Sequence, residues 1–387
     1  MSFITIILVI LIISFLVVIH ELGHFWASKK NGVRVEEFGV GYPPRLFGKK
    51  FGETIYSVNL IPFGGFVKIT GEEEEEDEDN KSKTVEYDPH SFSNKTSWQK
   101  SQILLAGVFM NTLLSFVLFY IFFFINGFKS FYIPMIFDHK FKYGQEMTYG
   151  TVVFDMEKDS PADVAGIKPG EVILKVDGNE INNVTGLREN LNGKADTEVE
   201  IVTMDISDPS GKKINKYLLS PVYNEEGTDS DAIIGVYLGD AKAIYYENNL
   251  EKIFSGPMHT YNMLDYSISS LKNIIGLSFK TKDIEPVASS MTGPVGLFNI
   301  LAGIIQSEGT GKILNIINTV AIISLGFAFT NALPIPALDG GKVLFRLIEA
   351  ITKKNINPKL ETKIHNVGMM ILILLVVVIT FRDIKIW

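Results

Sequence analysis

No cysteine occurs among the 387 residues, so the chain can form neither a disulfide nor a thiolate metal site. Any metal it holds must be bound by His, Asp or Glu. Histidine is also scarce, with six in all. No cluster of Lys and Arg offers a nucleic-acid surface. The net charge of −8 resides in one block, EEEEEDED at 72–79, which leaves the remainder neutral and gives no reason to seek a cationic partner. Such a block is ordinarily a solvated linker. The start of the chain lacks the basic residues that precede the apolar core of a signal peptide, and no small-residue cleavage site follows that core. The first apolar run is therefore read as a retained helix.

Apolar residues are abundant, at 46% with a mean hydropathy of +0.19. Four segments, 3–27, 103–127, 313–335 and 366–381, are apolar enough to cross a bilayer, which takes about 20 helical residues. Lys29, Lys30, Arg34 and Arg45 follow the first, and Arg346, Lys353 and Lys354 lie between the third and fourth. By the positive-inside rule both loops face the cytoplasm, with the termini and segment 128–312 outside; Arg382 and Lys385 argue mildly against this. Segment 33–70 alternates Val, Phe and Gly in short runs and reads as a β-rich loop beside the membrane. Between 150 and 240, TVVFDM, EVILKV and TEVEIVTM read as strands, while SPADVAG and VTGLRENL read as helices. From 244 to 280, apolar residues recur at helical spacing, which suits an amphipathic helix on the membrane surface or a core-packed one.

Chemistry concentrates at His20-Glu21-Leu22-Gly23-His24. On a helix, positions four apart share a face, so both imidazoles can grip one ion, and Glu21 is placed to act as a base instead of a ligand. Two His and a Glu at the end of an apolar span are costly unless they serve a purpose. A catalytic zinc takes three protein ligands. Glu36 and Glu37 lie at a conceivable distance but fall in the basic loop. The stronger candidate is Asp339 in NALPIPALDGG (331–341), which closes the third apolar run. Pro334 and Pro336 break the helix there, and Gly340 and Gly341 permit close backbone approach. A metal transporter is a rival reading, but no further His or acidic series runs along the spans. A scaffold with a vestigial site is another, but it has no need of Glu21.

HELGH in the first span, NALPIPALDGG in the third and the module between spans two and three resemble the site-2 protease family, closest to the bacterial regulators of intramembrane proteolysis. PFGGFVKI (62–69), SFSNKTSWQK (91–100) and SMTGPVGL (290–297) extend the likeness over nearly the whole chain, and SPADVAGIKPGEVILKVDG (160–178) resembles the core of a PDZ domain. The sequence departs at AGVFMN (106–111), where Val108 stands in place of the family's proline. The resemblance implies a polytopic α-helical membrane protein with about four transmembrane helices, a membrane-associated β loop and an extracytoplasmic PDZ-like α/β module. The corresponding parts are 1–127 (with the β loop 33–70 and the acidic linker 72–90), 128–243 for the PDZ-like domain, 244–312 for the membrane-surface segment and 313–387. It implies Zn2+ held by His20, His24 and Asp339, with Glu21 as the catalytic base. Asn331 and the β-loop residues Gly64, Gly65 and Phe66 would contact the substrate. Activity would be cleavage of transmembrane segments of single-span proteins, such as anti-sigma factors or signal-peptide remnants, in the bacterial cytoplasmic membrane after trimming outside it.

Overall fold

A computed structural model describes residues 2–72, 88–205, 214–223, 232–307, 311–354 and 356–386. Most of the acidic run, 73–79, and most of the expected linker 72–90 lie outside the described residues. The chain divides into two compact units, 1–117 with 289–307 and 319–387, and 118–288 with 308–318.

Among the described residues, four helices are long and apolar enough to cross a membrane: Phe3–Lys30, Ser97–Ile125, Lys312–Ala332 and Lys359–Lys385. The first starts where Ser2 Oγ accepts the Thr5 N–H at 3.2 Å, and it stops after Lys29 and Lys30, cations suited to a helix C-terminus. Large apolar side chains such as Phe3, Leu11, Phe109, Phe124, Met370 and Phe381 stand exposed on these helices, a surface that suits lipid and not water.

The first unit holds a long antiparallel pair, β1 (Val35–Phe51) and β2 (Thr54–Ile69). Because both strands fold back, Phe38 pairs with Val67 on one side and Tyr56 on the other, while Arg45–Phe51 pairs with Thr54–Asn59. The β-rich loop expected at 33–70 is thus a small sheet. Its β2 limb is pinned to the first span: Ser14 Oγ donates to the Pro62 carbonyl at 2.6 Å and accepts the Gly64 N–H at 3.1 Å.

The second unit is built on β3 (Ile133–Met135), β4 (Gln145–Met156), β5 (Glu171–Val176), β6 (Asn179–Glu180), β7 (Val199–Asp205) and β8 (Ile214–Leu219). To these are added β9 (Val222–Tyr223), β10 (Ala232–Ile233) and β11 (Val236–Tyr245). The main sheet runs β3-β11-β4-β5-β7-β8 with β6 on β5, and β9 pairs with β10. Helices Pro161–Ala165, capped by Ser160, and Val184–Leu191, capped by Asn183, match the two read from sequence. Val153, Ile173, Val176, Leu187, Leu191 and Ile201 form the core. Glu171 is buried and satisfied by Thr203 Oγ1, Asn215 Nδ2 and the Tyr217 hydroxyl at 2.6, 2.9 and 2.8 Å. Burial, reinforced by that carboxylate, pushes the Tyr217 phenol up to about 12, so it remains a donor.

Three boundaries differ from the sequence reading. The third span ends at Ala332, and Asp339 opens the next helix, Asp339–Thr352, after an irregular turn. The last helix begins at Pro358, before the apolar run at 366, because Lys359, Glu361 and Lys363 do not interrupt helical hydrogen bonding. Segment 244–312 is also not one amphipathic stretch: β11 continues to Tyr245, and helices Asn249–Ile253, Ser255–Thr281, Glu285–Ser290 and Pro294–Gln306 follow. On the longest of these His259, Thr260 and Asn262 are buried, whereas Tyr261, Ile275 and Phe279 face outward. Met263 and Ile274 are buried on the same helix, so its packed face mixes polar and apolar side chains.

Candidate metal centre

His20 and His24 project from the last turns of the first span, one helical turn apart, and both are buried. Their Nε2 atoms lie 3.1 Å apart, and Asp339 Oδ2 stands 3.0 Å from the first and 3.4 Å from the second. Asp339 arrives there because Gly340 and Gly341 let its helix turn back tightly. A Cβ on Gly340 would collide with the carbonyl oxygens of Leu333 and Ala332, and one on Gly341 with that of Ile335.

The second span completes the enclosure. His24 Nδ1 lies 2.8 Å from the Ile103 carbonyl, which can only accept, so a neutral His24 carries its proton on Nδ1 and turns the Nε2 lone pair toward His20 and Asp339. The Asn111 amide is 3.5 Å from His20 Nδ1, and its Oδ1 is buried without a partner. Ser324 Oγ of the third span donates to the Asn111 carbonyl at 2.8 Å, tying the two helices together at this level. Gly107 faces the imidazoles, and a Cβ there would lie 2.5 Å from His20 Cε1 and 2.6 Å from His24 Nε2.

These residues suit a zinc ion. Three atoms bound at about 2.0–2.1 Å to a tetrahedral ion stand about 3.3 Å apart; here the separations are 3.0, 3.1 and 3.4 Å. The lone pair that His24 Nε2 turns toward His20 and the Asp339 carboxylate is a ready ligand for a cation lying between them. Among the described residues, His20, His24 and Asp339 are the one such group of three.

Glu21, half-buried, is within electrostatic reach of His20, His24 and Asp339. Glu36 and Glu37 are engaged elsewhere. Glu36 accepts from Thr70 Oγ1 at 3.0 Å and pairs with Lys68, while Glu37 accepts from Ser57 Oγ at 2.6 Å and pairs with Arg45. Gly64 and Gly65 lie against Val17 and Val18, one turn before His20 and His24. Phe66 stacks with Tyr42, ring centres 6.5 Å apart. Asn331 sits half-buried in the last turn of the third span.

The family model for peptidase family M50 matches residues 8–375. The chain belongs to peptidase family M50. A Clostridium perfringens protein named as a zinc metalloprotease is 32% identical, over 98% of each chain. The Bacillus subtilis regulator of sigma-W protease RasP is 25% identical, and the Bacillus licheniformis zinc metalloprotease RasP is also 25% identical, each over 98% of this chain and 98–99% of its own length. This M50 chain is a zinc metalloprotease with several apolar helices of membrane-spanning length. The site-2 protease resemblance read from HELGH and NALPIPALDGG agrees with that membership. Sequence reasoning did not find the Ile103 carbonyl, Gly107 or the part played by Asn111. The only available signal was AGVFMN, where Gly107 and Asn111 lie four apart and so share a helix face.

Proposed function

We propose that this M50 protease cuts the transmembrane segments of single-span membrane proteins after trimming outside the membrane, with anti-sigma factors and signal-peptide remnants as substrate classes. The observation that carries this reading is the convergence of His20, His24 and Asp339 beside Glu21 at one end of a helix of membrane-spanning length. The naming of the Bacillus subtilis relative as a regulator of sigma-W supports the anti-sigma class.

In this reading His20, His24 and Asp339 hold zinc. Bound there, zinc supplies Lewis acidity that polarises a carbonyl and makes water a competent nucleophile near neutral pH. Glu21 accepts the proton of the attacking water and delivers it to the departing amine. A helical substrate hides its peptide bonds behind its own hydrogen bonds, and once unwound it needs new partners where water is scarce. The Pro62–Phe66 stretch of β2, anchored to Ser14 and lying on Val17 and Val18, suits pairing with an extended chain. Asn331 holds that chain through its amide. Residues 128–243 act as a PDZ-like dock or size filter outside the cytoplasm, and the site lies toward the cytoplasmic side, as the Lys and Arg distribution indicates.

Replacing Asp339 with Asn keeps the volume but removes the charge that offsets a dication. Zinc content of the purified D339N protein should fall well below one per chain, and cleavage of a single-span substrate should fall with it. Unchanged zinc content would move the third ligand elsewhere.

A further inference from the structure

Asp339 is the one ligand of the three that is not carried by a membrane-spanning helix. Its position depends on the turn from Leu333 to Leu338, which has few ways to hold itself. Pro334 and Pro336 have no N–H to give. Ile335 and Leu338 make internal bonds, to the carbonyls of Leu333 and Ile335 at 2.7 and 3.2 Å. Ala337, two residues before the ligand, adopts φ +77°, a left-handed conformation that is costly for any residue with a Cβ. Something outside the turn must keep it there.

The last helix does so. His365 Nδ1 accepts the Ala337 N–H at 2.8 Å. Three residues on, along the same helix face, Gly368 admits Pro336 so closely that a Cβ would lie 2.5 Å from Pro336 Cβ and 2.9 Å from its carbonyl oxygen. The His365 ring also lies 5.4 Å from that of Phe345, on the helix that Asp339 opens. Because Nδ1 accepts, the proton of the neutral ring sits on Nε2, which is buried and has no partner among the described residues. A buried donor left unsatisfied is expensive to keep. Packing alone would be served as well by an apolar residue, and the feature that imidazole adds is the acceptor for Ala337.

We propose that His365 is a positioning residue for the third zinc ligand: it holds Ala337 left-handed so that the turn presents the Asp339 carboxylate to His20 and His24. This rests on the zinc reading of the site. Supporting contacts of this kind tune metal affinity by about ten- to a hundred-fold.

The test measures zinc affinity of the purified full-length protein in detergent, by competition with a chelator of known strength. H365L removes the acceptor and should weaken zinc binding by about ten- to a hundred-fold. H365N returns an acceptor oxygen near the same place and should bind within a few-fold of wild type. The double variant H365L/A337G should also recover, because glycine adopts φ +77° unaided. D339N run alongside separates the two levels. If D339N is weak but H365L binds zinc like wild type, the positioning role is overturned while the ligand assignment stands. If D339N binds like wild type, both fall. Loss in H365L that neither H365N nor A337G relieves would mean general destabilisation and would also overturn the proposal. Should H365L fail to accumulate, A337V carries the test, since a β-branched residue rejects the left-handed conformation. Wild-type affinity in A337V would overturn the proposal.

Discussion

Purified Glu21→Gln protein should retain one zinc per chain and lose cleavage of a transmembrane substrate by at least about a hundred-fold, the lower end of what a positioned general base contributes. Glutamine preserves the size and the hydrogen-bonding reach of the side chain but cannot take a proton. Among the described residues, the hydrogen-bonding neighbours of the two imidazoles are other groups than Glu21. His24 is oriented by the Ile103 carbonyl, and His20 lies beside Asn111. Zinc binding and catalysis should therefore separate cleanly in this variant. Loss of zinc together with activity would show that Glu21 belongs to the ligand set, and retained cleavage would remove it from the chemistry.

A second large effect is expected from Gly107→Ala. The added methyl would stand 2.5–2.6 Å from His20 Cε1, His20 Nε2 and His24 Nε2, far inside van der Waals contact. Neither ring can easily retreat. His24 is tied to Ile103, and Gly23 between them packs on the Ala106 backbone, leaving no slack between the first and second spans. We expect zinc affinity to fall by at least about ten-fold, with activity following it. Gly326→Ala on the third span is the matched control. Nothing lies within 4 Å of a Cβ there, so this change should leave zinc binding intact and stabilise the helix by roughly 0.5–1 kcal/mol. Normal zinc content in G107A would mean that the second span stands farther from the imidazoles than described.

Much of the centre could be read from the sequence because its chemistry uses rare residue types at a spacing that helical geometry enforces. His20 and His24 could be paired without any tertiary information, and the broken NALPIPALDGG segment marked Asp339 as unusual. What could not be read depends on packing between segments distant in sequence. A backbone carbonyl such as that of Ile103 has no sequence signature, and Gly107 is one glycine among 33 until the imidazoles are seen beneath it. His365 carries no signal in the sequence, because its partner is the N–H of Ala337, a residue with no polar side chain of its own. Glu36 and Glu37 ranked behind Asp339 because they fall in the basic loop, and their actual partners, Thr70 and Ser57, became visible only in the fold. The strands and helices at 150–205 were legible because their caps and turns are local, as at Ser160, Asn183 and the Asp177-Gly178 turn, where φ is +49° and +82°. The helix Ser255–Thr281 was legible as a helical spacing but its packed face was not, since it mixes His259, Thr260 and Asn262 with Met263 and Ile274.

The most direct test of the central claim, hydrolysis inside the membrane by this site, is to map the cut. The full-length protein, reconstituted in lipid vesicles with a single-span substrate lacking its outer domain, would be incubated and the product termini read by mass spectrometry. The account predicts new termini within the apolar segment of the substrate, formed by wild type, suppressed by zinc chelation and absent with E21Q. Termini confined to the soluble flanks, or the same intramembrane cut made by E21Q, would contradict it.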